Sequence, residues 1–276
     1  MNRMNHPHHH VVIGIIATVL VLALAGGLAI AYVTHSGNGT DDAATADGTA
    51  AIDDATSASG FPTITLGNTV VAPQEYVTAL KTQRAAALNH FKQQYGVSLS
   101  SAGWTGDYDG EVPYRWLARQ TVEALKKRHA AYLIGVKQGL VDDDSYAAIV
   151  QRMNNVKRNN ASAKAHGNIV YGRTTFDIDS YISYETSALK NSYTGDESNP
   201  GMSLTDEEVQ AYYDAHDWTV EGVDGKAPLD QVLGNVKAQM RSERYDALVQ
   251  TKADAIKANV PWKQLYQFTL QQVEKR

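Results

Sequence analysis

The chain has 276 residues, 43% of them aliphatic or aromatic and 20% charged, enough apolar matter to bury a core and too much for wholesale disorder. It carries 25 Lys and Arg against 30 Asp and Glu, a net charge of −5, so it lacks the basic excess of a nucleic-acid binder. It has no cysteine, which excludes disulfides, thiol catalysis, iron–sulfur clusters, thiolate zinc sites and any lipid held through a cysteine.

Residues 1–10 precede a run of 23 uncharged, mostly apolar residues at 11–33. As a helix that run spans roughly 35 Å, enough to cross a bilayer. Its length favours an uncleaved signal anchor, because the apolar part of a cleavable signal is about 7–15 residues long. Ala29-Ile30-Ala31 offers the alternative, small residues placed for cleavage after Ala31. Arg3 on one side and Asp41 and Asp42 on the other predict a cytoplasmic amino terminus and an extracytoplasmic main domain in a single-pass cell-membrane protein. The tract His6-Pro7-His8-His9-His10 has ligand-type side chains but no carboxylate nearby, and reads as a juxtamembrane tail.

Residues 34–60 are Gly, Ala, Ser, Thr and Asp with almost nothing to bury, a flexible linker about 30 Å from end to end. Five Asp in it carry most of the charge imbalance, and from Phe61 onward 24 basic residues face 25 acidic ones. A nearly neutral domain at 61–276 argues against nucleic acid and against a strongly charged substrate.

That domain reads as mainly α with minor β. Ile64 and Leu66, then Val70 and Val71, flank Gly67-Asn68 as two short β-prone runs about a turn. Pro73 and Glu75 suit a helix start, the stripe Tyr76, Leu80, Ala87, Leu88, Phe91 and Tyr95 continues it, and Gly96 stops it. Residues 97–112, rich in Gly, form a loop. Pro113 opens a second helix with Trp116, Leu117, Leu125 and Tyr132, ending before Gly139.

Asp142 is placed to cap a third helix bearing Tyr146, Ile149 and Met153, and Asp179 to cap a fourth bearing Tyr181, Tyr184 and Leu189. Thr205 and Glu208 match a capping box ahead of Val209 and Tyr212. Pro228 opens a long helix through Val232, Met240 and Tyr245, and Pro261 separates it from a last short apolar element with Leu265 and Phe268. Seven or so helices and very little sheet are expected, with no repeat at a fixed period.

Taken in order, several segments resemble the extracytoplasmic foldases related to SurA and PrsA. They are the run Thr65 to Tyr76 around Gly67-Asn68, the run His90 to Gly96, Trp104, the Gly110-Glu111-Val112-Pro113 helix start, the run Asn168 to Gly172 with Phe176, Tyr181 and Tyr184, and the run Leu204 to Tyr213. The turn is reversed from that family's usual Asn-Gly, and no lipid-bearing Cys follows the apolar run. The resemblance implies a helical chaperone domain closed by a return helix. In that family's enzymes a parvulin-type prolyl isomerase is inserted between the Thr-x-x-Glu helix and the return helix. Here eleven residues, 217–227, occupy the gap, whereas a domain needs roughly 50 or more. The isomerase insert is therefore expected to be missing, and with it any catalytic residue.

The residues themselves offer little else that is catalytic. Asp142, Asp143 and Asp144, like Asp177 and Asp179, sit where helix starts favour acids. His90, His129, His166 and His216 are scattered, and no nucleophile elbow, phosphate loop or dinucleotide fingerprint occurs. No metal, cofactor or nucleotide is expected.

The 15 Tyr and 4 Trp are more suggestive, because such rings give broad adaptable contact surfaces with few torsions to freeze. Tyr76, Phe91, Trp116, Tyr181, Tyr184 and Tyr212 are the candidate client-binding residues. The expected function is a membrane-anchored extracytoplasmic chaperone that binds unfolded or newly exported polypeptides. The alternatives are an envelope module with one specific partner, an accessory subunit of a complete foldase, and a prolyl isomerase.

Overall fold

A computed structural model describes residues 60–274 except 171, 172 and 174. The expected membrane segment at 11–33, the His tract and the linker up to residue 59 lie outside the described residues. Among the described residues no helix is long and apolar enough to cross a membrane.

Among the described residues, seven α-helices and three two-residue strands follow in the order β1 (Thr65–Leu66), β2 (Thr69–Val70), α1 (Pro73–Tyr95), α2 (Pro113–Lys137), α3 (Tyr146–Ala165), α4 (Ile178–Gly195), α5 (Asp206–Ala215), α6 (Leu229–Ala255), β3 (Ala258–Asn259) and α7 (Trp262–Glu274), with a short 3-10 turn at Ser101–Thr105. The mainly helical class is as the apolar periodicity predicts. Pro73 begins α1, where its missing N–H leaves nothing unpaired, and Gly96 ends it in the left-handed region at φ 67°. There the amides of Gly96 and Val97 reach back to the carbonyls of Lys92 and Phe91.

Two caps differ from expectation. Ser145, not Asp142, caps α3, its hydroxyl accepting from the Ala148 amide at 3.2 Å, while Asp143 accepts from the Ser145 amide at 2.7 Å. Asp177, not Asp179, caps α4 by accepting from the Ser180 amide at 2.8 Å. Each helix starts where the short side chain faces the third amide ahead, which a run of several acids does not reveal. The box on α5 forms as predicted: Glu208 N–H donates to the Thr205 hydroxyl and Thr205 N–H to the Glu208 carboxylate.

The third strand was not foreseen. β1 pairs antiparallel with β2 and also with β3, so the sheet order is β2-β1-β3 and the segment after α6 returns to the segment before α1. The Gly67 amide donates to the Lys257 carbonyl at 2.8 Å. Ile64, Leu66, Tyr76, Leu117, Leu265 and Phe268 share one buried cluster there. α2 is the central helix, packing on α1, α4, α6 and α7. A second cluster joins Tyr132, Ile149, Met153 and Leu189 from α2, α3 and α4 with Phe176 from the segment ahead of α4. A third joins Val209, Trp218, Val232 and Val236 around the 216–228 connection, where Ala227 N–H bonds back to the Trp218 carbonyl at 2.7 Å.

Candidate functional site

The six aromatic candidates do not form one surface. Tyr76 is fully buried between Phe61 and Phe268, its hydroxyl 2.6 Å from that of Thr269. Phe91 is fully buried among Tyr95, Tyr108 and Trp116. Tyr181 is buried and donates to Glu185 at 2.9 Å. These three are core residues, and the expectation that they contact a client is corrected: their apolar faces are already covered by the protein's own helices. Trp116 is half-buried and stacks on His90 at 4.5 Å, and Tyr212 is half-buried with its hydroxyl 2.6 Å from Glu243. Only Tyr184, 52% exposed beside Phe176, presents most of a ring to solvent.

A different site is assembled where α1, α2, α4 and α6 face one another around a cleft of about 470 Å³. That size lies within the range of roughly 300–1,000 Å³ usual for ligand sites. α1 contributes Thr78, Ala79, Thr82 and Gln83, and α2 contributes Ala124, Lys127, Arg128 and Ala131. α4 lines its own wall with Asp179, Ile182, Ser183, Thr186, Ser187 and Lys190, while Tyr245, Asp246 and Val249 come from α6. On α4 these positions recur at three- and four-residue spacing, one stripe of the helix.

Three polar atoms of this lining have no hydrogen-bond partner: Nη1 of Arg128, Oδ1 of Asp179 and the hydroxyl of Tyr245. Burial and the nearby Asp177 raise the Asp179 carboxyl above the usual range, against the opposing pull of Lys81 and Arg128. Burial, with help from Asp246, pushes the Tyr245 hydroxyl up to about 12. Lys190 holds Asp246 with two bonds of 2.8 Å and lies over the Tyr245 ring. Arg128 can only donate and an ionised Asp179 only accept, so the two buried atoms call for partners of opposite kind. Among the described residues, no three His, Asp or Glu side chains gather as metal ligands.

Over 210 residues, 76% of this chain and 75% of the relative, the sequence is 63% identical to the chaperone for lacto-N-biosidase of Bifidobacterium longum. This chain belongs to that chaperone's family. No family model matches it, and no solved structure does.

Sequence reasoning passed over the cleft. In the sequence Asp179 reads as a cap and Tyr245 as a packing residue, and nothing there singles out Arg128. The legible signal was the Ser/Thr stripe of α4, small polar side chains on a helix that is buried at Tyr181, Glu185 and Leu189 on its other face.

Proposed function

We propose that this chain is a dedicated chaperone for an exported glycoside hydrolase of the lacto-N-biosidase kind, tethered at the membrane by residues 11–33 and acting outside through its helical domain. The observation that carries the reading is the 63% identity to a chaperone for lacto-N-biosidase across three quarters of both chains. The ordered likeness to the SurA and PrsA foldases agrees with work on exported chains, and the short 216–228 connection agrees with a helper that has no inserted isomerase domain.

The exposed surface favours a dedicated client over a general one. Large exposed apolar side chains such as Val70, Leu133, Leu140, Ile169 and Trp262 come from different segments of the chain, whereas the four-helix cleft, more apolar than polar in the surface it presents, also carries unpaired polar groups. Unpaired buried polar groups discriminate strongly, because a ligand that fails to satisfy them leaves their burial cost in place. The tether would raise the local concentration of the site near emerging chains.

The test is to export a lacto-N-biosidase with and without the full chain, and to run an unrelated secreted glycosidase in parallel. A gain in specific activity for the lacto-N-biosidase alone is expected. Equal gains for both enzymes would make the protein a general exported-protein chaperone, and no gain for either would remove the chaperone assignment.

A further inference from the structure

Arg128 on α2, Asp179 on α4 and Tyr245 on α6 converge on one cavity, each with a polar atom that nothing in the protein satisfies. Tyr245 is 3% exposed, so its unpartnered hydroxyl carries a burial cost that nothing in the protein offsets. These groups stand on three helices that line one cleft, each still in need of a partner.

We propose that the cleft binds an extended, unfolded segment of the client through its peptide backbone, with Arg128 donating to a carbonyl, Asp179 accepting from an amide N–H and Tyr245 bonding a neighbouring peptide group. This rests on the chaperone reading above and names where and how that reading operates.

The chemistry of the lining selects a peptide group over a charged ligand. An anion would suit Arg128, Lys127 and Lys190 but would meet Asp179 and Asp246. A cation would suit the two acids but would meet the three bases. A neutral unit with one donor and one acceptor satisfies both sides, and each peptide group is such a unit.

The walls continue the match. The hydroxyls of Thr82, Ser183, Thr186 and Ser187 already donate to the carbonyls of Ala79, Asp179, Ile182 and Ser183 of their own helices, at 2.7–3.0 Å. What they retain is acceptor capacity, suited to further backbone N–H groups. Small side chains around them leave room for a chain whose own side chains are short. A folded client has its amides paired internally, so this cleft distinguishes an unfinished chain from a finished one.

The experiment uses the full chain in detergent micelles and three labelled probes: chemically unfolded lacto-N-biosidase, a short Ala- and Ser-rich peptide, and the same peptide with its backbone nitrogens methylated. Binding is read by fluorescence anisotropy and folding by thermal denaturation. Wild type is expected to bind the first two probes and to lose the methylated one. Tyr245→Phe and Asp179→Ala are each expected to weaken binding about 5- to 30-fold while leaving the melting temperature unchanged or raising it, since each removes an unsatisfied group.

A purely structural role would do the opposite, lowering the melting temperature and leaving affinity alone. The inference is overturned if both variants bind as wild type does or if methylation has no effect. Wild type that still raises lacto-N-biosidase activity in those cases keeps the chaperone assignment and loses only this cleft. Wild type that neither binds the unfolded enzyme nor raises its activity removes both.

Discussion

The hydroxyl of Tyr132 on α2 donates to the carboxylate of Glu185 on α4 at 2.7 Å, inside the cluster that joins these helices to α3. Tyr181 donates to the same carboxylate at 2.9 Å, and Arg152 of α3 reaches it at 2.7 and 3.0 Å. One buried acid therefore ties three helices together, and burial followed by the Glu185 charge holds the Tyr132 hydroxyl protonated far above the usual tyrosine range. Replacing Glu185 by Gln leaves the Arg152 charge without its counter-ion, which costs about 3 kcal/mol. For a domain of this size the melting temperature should fall by about 6–12 °C, measurable by circular dichroism.

Gly135 decides how closely α2 and α4 approach. A methyl group there would lie 3.0 and 3.1 Å from the two Leu189 methyls and 3.3 Å from Val141. Gly135→Ala should gain about 1 kcal/mol of helix propensity and lose about 1–3 kcal/mol to overpacking, for a modest net destabilisation. Combined with Leu189→Ala, the added methyl would fill part of the cavity, so the double variant should be more stable than the sum of the two single losses. Urea denaturation of the four proteins checks this.

Acid sensitivity should concentrate at capped helix starts. Glu208 is held below the usual carboxylate range by the Thr205 backbone N–H and then by Arg244. A carboxylate with a depressed folded value contributes stability that is fully present above its unfolded value, about 4.3, and is lost as pH falls through the folded one. Glu208→Gln cannot titrate, so its melting temperature should fall less steeply between pH 5 and about 2 than that of the wild type. Equal slopes would show that Glu208 contributes nothing to the acid limb.

Tyr184 and Phe91 should separate surface from core among the aromatic residues. Phe91→Ala removes a fully buried ring and should cost about 3–5 kcal/mol. Tyr184→Ala, at a site 52% exposed, should cost less than about 1 kcal/mol and lower the affinity for unfolded lacto-N-biosidase about threefold or more if the ring is a contact. An unchanged affinity would leave the four-helix cleft as the client surface on its own.

Most of the helices were determined by the sequence alone, because Pro73, Pro113, the Thr205–Glu208 box, Gly96 and Gly139 act within a few residues of themselves and apolar spacing repeats locally. β3 was not: Ala258–Asn259 has no strand character of its own, and only its return to β1, far away in sequence, makes it a strand. Burial was the other decision left to tertiary structure. Tyr76, Phe91, Tyr181 and Tyr184 are the same kind of residue on similar helical stripes, and which faces a neighbouring helix depends on how α1, α2 and α4 cross. The cleft has the same origin, since Arg128, Asp179 and Tyr245 stand on three helices and become one site only when α2, α4 and α6 pack together.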